Sequence, residues 1–322
     1  MPTLEAPTVA DIEAARGRIA GTAVRTPLLR LDVDAPFELW LKLENLQPIG
    51  SFKLRGALNA IRALPPERLR HGVYTASAGN MAQGVAWGAR ELGVTCTVLV
   101  PDRAPQTKLD AIARLGASVV KLPYERWWKV IVDHGYDGMT GEFIHPVSNS
   151  FVLAGNATIG AEILEDLGDP DAIFVPYGGG GLSAGIAAVV KHRSPATRVY
   201  ACEVETAAPF SASLAARRPM TIDHVPSFVD GIGGRSVLEE MWPITSTLLA
   251  DSLVVTVAQV AAAVRLLVTR GRVVAEGAGA TAVAAVLSCD ARLVAPGSKC
   301  VAVISGGNID RAVLADILSE RL

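Results

Sequence analysis

Apolar positions fall into two alternating patterns along this chain. Short, nearly continuous runs rich in β-branched residues recur at 38–43, 73–76, 95–100, 118–122, 172–175, 198–204, 252–257 and 300–304. Such runs suit strands buried on both faces. Between them the apolar spacing becomes helical, at 80–92, 105–115, 151–167, 182–192 and 258–269. Strands that alternate with helices predict parallel sheets flanked by helices, an α/β fold. An opening helix over 8–20 is announced by Thr8, with Asp11 three residues on as a capping partner. Pro65-Pro66 marks a crossing to a second unit. The segment 125–141, with Gly135, Gly138 and Gly141, predicts an irregular loop leading back, and 219–234 is also loop-rich.

The stretch 41–61 reads LKLENLQPIGSFKLRGALNAI. Its apolar run ends at Glu44, a turn follows at Gln47-Pro48-Ile49-Gly50, and Ser51 stands where a helix N-cap belongs. Lys53 then falls in the first helical turn. The positive end of the helix dipole there opposes a second positive charge and helps to lower the amine's pKa. An amine nucleophile needs that shift. On position alone, a surface lysine on an amphipathic helix is the better explanation of Lys53.

Two later stretches bear on that choice. After the run 172–175 comes YGGGGLSAG at 177–185, and after 300–303 comes ISGGNID at 304–310. Each pattern is a buried strand, a glycine turn and a helix, the arrangement that offers backbone N–H groups to an anion. A lysine beside a four-glycine cradle suits an aldehyde cofactor that carries a phosphate. The tetrad admits a rival reading. Gly179, Gly181 and Ala184 also match GxGxxA after a strand, with Glu203 at the next strand end, as a nicotinamide dehydrogenase would have.

Composition narrows the field. The 322 residues are 50% hydrophobic and 19% charged, enough for two domains with packed cores. A formal net charge of −2 with scattered basic residues leaves no nucleic-acid footprint. No apolar run approaches the ~18 residues of a membrane span, and MPTLEAPTVADIEAARGRI has no signal core. A cytoplasmic location is the expectation. Cys96, Cys202, Cys289 and Cys300 show no CxxC spacing and read as reduced core thiols.

SFK at 51–53, SAGNMAQG at 77–84, GGGGL at 178–182 and SGGN at 305–308 together resemble the fold type II pyridoxal-phosphate enzymes. Their nearest group is the serine/threonine dehydratases and serine racemases, and the likeness spans nearly the whole chain. It implies the tryptophan synthase β-like architecture, with two domains each built on a mainly parallel sheet. The larger would comprise 1–65 and 150–322, the smaller 66–149, with the site between them.

The same likeness implies roles. Lys53 would form an imine with pyridoxal 5'-phosphate and, once displaced by substrate, remove the α-proton. Phe52 would pack beside the cofactor. Gly178, Gly179, Gly180, Gly181 and Leu182 would hold its phosphate, and Asn80 its phenolic oxygen. Ser305 would face the pyridine nitrogen, leaving it largely unprotonated and favouring β-elimination over transamination. Glu276, in EGAGA, matches a glutamate of the family's glycine–alanine turn. The loop Ser77, Ala78, Gly79, Asn80 and Met81 would bind the substrate, its N–H groups taking the α-carboxylate.

Ala78 helps choose an activity. Racemases of this group carry a second serine there to act on the opposite face, and a methyl group has no proton to give. The reading is therefore dehydration of a 3-hydroxy amino acid such as L-threonine or L-serine to a 2-oxo acid and ammonia. The cofactor's phosphate would protonate the departing hydroxide. The alternatives are a racemase or another β-eliminase of this fold and, more distantly, the dehydrogenase.

Departures from the pattern matter too. Met81 replaces a usual histidine, and Tyr177 a small aliphatic residue. Trp127 and Trp128 either pack or line a pocket for a bulkier substrate such as phenylserine. Glu203 matches the first metal carboxylate of serine racemases, but Pro209 stands where the second belongs, so no metal site is expected. The chain ends soon after SGGNID, so no C-terminal regulatory domain is expected. Relatives are commonly dimers, which makes a homodimer the expectation.

Overall fold

A computed structural model describes residues 4–322. Its ten strands are β1 (Leu28–Leu31), β2 (Glu38–Lys42), β3 (Val73–Ala76), β4 (Cys96–Pro101), β5 (Ser118–Leu122), β6 (Glu142–Phe143), β7 (Ala172–Pro176), β8 (Arg198–Val204), β9 (Asp251–Val255) and β10 (Lys299–Val303). They form a six-stranded sheet in the order β1-β2-β10-β7-β8-β9 and a four-stranded sheet in the order β5-β4-β3-β6. Every pairing is parallel except β1 with β2. The predicted α/β class with two parallel sheets is what the backbone adopts.

Burial explains the order. All five residues of β7 are buried, as are four of the five in β10. Phe174 and Ala302 face one core with Tyr200 and Cys202, while Ile173, Val175, Val301 and Val303 face another. Strands covered on both faces lie centrally, and β1, with two exposed residues of four, lies at the edge.

The helix Lys53–Arg62 links the two sheets. Ala57, Ala60 and Ile61 enter the core beneath the four-stranded sheet with Val85, Val98 and Ile112. Its other side is held by charge. The Arg55 guanidinium, 1% exposed, donates to Glu44 at 2.8 Å and to Glu162 at 2.7 Å, and Lys42 reaches Glu162 at 2.6 Å. Thr26 and Gln47 donate to the remaining lone pairs of Glu44. Two buried cations thus meet two carboxylates with their hydrogen bonds made, which such burial requires.

Local expectations need two corrections. Ser51 is not the N-cap; Phe52 is, and Ser51 forms an isolated antiparallel bridge with Gly306. The segment 125–141 is not wholly irregular either. The helix Tyr124–Val132 occupies its first part, burying Val130 and Ile131. The opening helix runs Val9–Ile19 with the Thr8–Asp11 capping box in place. Among the described residues no helix is long and apolar enough to cross a membrane.

Candidate active site

The carboxyl ends of β3, β4, β7 and β10 converge on one cavity of about 930 Å³. Open parallel sheets bind ligands at such ends because the loops there are free to differ while the strands hold them rigidly. Phe52, Lys53, Ser77, Ala78, Gly79, Asn80, Met81, the tetrad Gly178 to Gly181, Leu182, Glu276 and Ser305 all border it. Every residue assigned a site role from the sequence is therefore in one place.

Lys53 opens its helix and is half-buried. Nζ donates to the Pro146 carbonyl at 2.9 Å and lies 5.2 Å from the centre of the Phe52 ring. Burial brings its pKa down from 10.5 to about 8, since desolvation penalises the ammonium. A usable fraction is neutral near physiological pH, as nucleophile and base chemistry requires.

The tetrad joins β7 to the helix Gly181–Arg193, which starts without a side-chain cap among the described residues, so its first N–H groups remain available. Gly180 takes φ +88, a left-handed conformation that L side chains rarely adopt. A Cβ on Gly179 would lie 2.5 Å from Val147 Cγ2. Tyr177 fills the space behind: its ring stacks on Phe210 at 4.5 Å, and its hydroxyl oxygen would sit 3.0 Å from a Cβ on Gly180. This cradle of N–H groups without side chains suits a phosphate. The helix Asn80–Glu91 likewise starts without a side-chain cap among the described residues, with Ser77 Oγ accepting from the Gly79 N–H.

Asn80 is fixed at both ends of its amide. It donates to Glu276 Oε1 at 2.8 Å and accepts from Asn308 at 2.8 Å. Burial, with Asp230 nearby, lifts the Glu276 carboxyl to about 7. Ser305 is buried at the end of β10, and its carbonyl accepts from the Phe52 N–H at 3.0 Å, tying the SGGN turn to the lysine helix. Met81 reaches the cavity wall yet is 2% exposed and packs with the helix core beside Val85.

Glu203 has no part in the cavity. It is fully buried and accepts from the N–H groups of Phe210 and Ser211 and from the Ser252 hydroxyl. Its carboxylate caps the helix Pro209–Ala216, so it cannot meet the ribose that the dehydrogenase reading requires. Trp127 borders the cavity while its indole N–H donates to the Leu99 carbonyl at 3.1 Å, and Trp128 packs beside it. The sequence reading missed the Pro146 carbonyl that holds Lys53, and only three-dimensional proximity reveals it.

A half-buried lysine with a lowered pKa in one cavity with an anion cradle, between two mainly parallel sheets, points to the class of enzymes that hold a phosphate-bearing aldehyde cofactor. Known proteins narrow that class. The family model for pyridoxal-phosphate-dependent enzymes matches residues 19–306. The chain is 37% identical to the L-threonine ammonia-lyase of Thermotoga maritima, covering 98% of this chain and 79% of that one. Maize serine racemase superposes with a TM-score of 0.90 at 30% identity, covering 98% of each chain. The processed form of threonine deaminase isoform 2 from Solanum lycopersicum gives 0.84 at 29% identity, covering 98% of this chain and 96% of that one. The chain belongs to the family of pyridoxal-phosphate-dependent enzymes.

Proposed function

We propose that this enzyme is an ammonia-lyase that converts a 3-hydroxy amino acid, L-threonine or L-serine, to a 2-oxo acid and ammonium. The observation that carries the reading is Lys53: a half-buried amine with a lowered pKa that shares one cavity with the tetrad and the Ser77–Asn80 loop. When bound, pyridoxal 5'-phosphate supplies an aldehyde for the substrate amine and an electron-withdrawing ring that acidifies the bond to the α-carbon. The N–H groups of the tetrad and the start of its helix would hold the phosphate. The free N–H groups at the start of the helix that follows Ser77 would hold the substrate carboxylate. Lys53 would carry the cofactor and, once free as a neutral amine, would take the substrate's α-proton. Asn80, locked by Glu276 and Asn308, would offer its remaining amide hydrogen to the cofactor's phenolic oxygen, and Ser305 would serve its ring nitrogen.

Water leaves from the β-carbon, and the resulting enamine hydrolyses to the 2-oxo acid and ammonium. Ala78 borders the cavity as a methyl group, which supports elimination over racemisation. The likeness to maize serine racemase keeps racemisation as the second reading. Trp127 at the cavity wall favours tolerance of a bulky β-substituent such as phenylserine. Incubation with L-threonine, L-serine and phenylserine, with 2-oxo acid and enantiomers both measured, separates these outcomes. Oxo acid from a hydroxy amino acid is expected; D-serine without oxo acid would establish the racemase instead. Strict preference for serine would end the large-pocket idea.

The two sheets are proposed to be separate domains, 1–65 with 150–322 and 66–149, in a cytoplasmic homodimer. Sedimentation at micromolar concentration measures the latter.

A further inference from the structure

Lys53 depends on a carbonyl whose position is set from behind. Pro146 lies in the turn 145–149 that leads from β6 to the helix Ser150–Leu167, and its oxygen accepts from Lys53 Nζ. Proline has no N–H, so this residue anchors nothing through its own donor. The turn also meets the phosphate cradle. Val147 packs where a side chain on Gly179 would be, and its carbonyl would lie 3.3 Å from a Cβ on Gly181. One short segment therefore touches both the amine and the cradle.

His145 holds that segment. Nδ1 accepts from the N–H groups of Val147 at 3.0 Å and Ser148 at 2.8 Å. Nε2 faces the Ile131 carbonyl at 3.2 Å. Backbone N–H groups can only donate and a carbonyl can only accept, so the proton sits on Nε2. The ring is 2% exposed, stacks on His134 at 4.4 Å between centres, and meets the Phe143 ring edge-on. Burial drives its pKa down to about 3, so the imidazole stays neutral and keeps Nδ1 as an acceptor at any ordinary pH. Ser148 extends the brace by donating to Glu240 at 2.7 Å, and His134 meets the same oxygen at 3.0 Å.

His134, His145 and Glu240 are close enough together to suggest a metal site. The hydrogen bonds weigh against it, because both nitrogens of His145 are already engaged and its ring lies flat against its neighbour. The imidazole serves the turn instead.

We propose that His145 is a positioning residue: by accepting two N–H groups it shapes the turn 146–148, and so aims the Pro146 carbonyl at Lys53 and seats Val147 under the glycine cradle. This rests on Lys53 being the lysine that carries the cofactor. Nothing in it requires His145 to touch cofactor or substrate.

The test is the rate at which cofactor-free protein attaches pyridoxal 5'-phosphate covalently, followed by visible absorbance in wild type, His145→Leu and His145→Asn. Leucine removes the acceptor and leaves two buried N–H groups unpaired. Asparagine offers an amide oxygen in the place of Nδ1. Misplacing the amine by about 1 Å should slow attachment by about 10- to 100-fold in His145→Leu. His145→Asn should recover most of the rate. A folded His145→Leu that attaches at the wild-type rate overturns the proposal, as does a folded His145→Asn as slow as the leucine variant. If the leucine variant does not fold, amide exchange in the wild type decides. Protected Val147 and Ser148 support the role, and exchange at the rate of an unfolded chain refutes it. Borohydride reduction and peptide mapping of the wild type keep the two ideas apart, because label on another lysine refutes the Lys53 assignment itself.

Discussion

The role proposed for Lys53 sets two opposed demands: enough burial to shed its proton near neutrality, and enough access to reach a cofactor and a substrate. Its place at the first position of a helix, half-buried at the cavity wall, meets both. In the cofactor-free protein an amine-directed reagent should modify Lys53 with a rate that rises through pH about 8. A midpoint near the ordinary value of 10.5 would contradict the burial argument. Glu276 offers a second test. Its pKa is raised from 4.5 to about 7, so the folded state holds the proton more tightly than the unfolded chain. That contribution to stability is fully present below pH 4.5 and is lost as pH rises through about 7. Glu276→Gln keeps the acceptor for Asn80 and removes the titration. It should gain stability over wild type as pH rises from 5 to 8, by up to about 3 kcal/mol in denaturant melts of the cofactor-free protein. A constant difference across that range would refute it. Lys53, Asn80 and Ser305 were legible in the sequence because each sits in a motif of its own. His145 was not, since its partners are backbone groups whose direction only the folded turn defines.

At the scale of elements, the glycine turn and the lysine helix both line the cavity, and the proposed site rests on them. Gly180→Ala forces a side chain into a left-handed position and against Tyr177 and Thr245. Strain of roughly 1–2 kcal/mol should distort the turn and weaken cofactor binding by about tenfold or more. Unchanged affinity, measured by equilibrium dialysis, would show that the tetrad does not hold the phosphate. The lysine helix is fixed by the buried Arg55. Removing that guanidinium leaves Glu44 and Glu162 with unbalanced charge in the core, so Arg55→Met should cost about 3–5 kcal/mol in urea denaturation. A loss below about 1 kcal/mol would mean the network is solvated. Periodicity could not disclose this cluster: Lys42, Glu44, Arg55 and Glu162 look like solvent-facing positions until separate segments bring them together. The central strands were legible because burial on both faces writes itself as unbroken β-branched runs. The edge strand β1 has two exposed residues and no such run. The helix Tyr124–Val132 escaped notice because its aromatic residues and the glycines after it mimic a loop.

In the whole molecule, the cavity walls come from both sheets, and several contacts join the segment 66–149 to the later part of the chain. Lys108 meets Asp230 at 2.6 Å, the Arg235 guanidinium lies over the Tyr124 ring, and His134 pairs with Glu240. The site's function should need no divalent metal, because the Glu203 carboxylate is spent on the protein's own donors. Activity should survive EDTA, and a large loss that added Mg²⁺ restores would contradict this. All of these readings turn on which amine carries the cofactor. The direct measurement is borohydride reduction of the cofactor-loaded enzyme followed by peptide mapping. The account predicts a single label on Lys53 and none in Lys53→Ala. Label on Lys42, Lys108 or any other lysine, or retained covalent cofactor in Lys53→Ala, would contradict it.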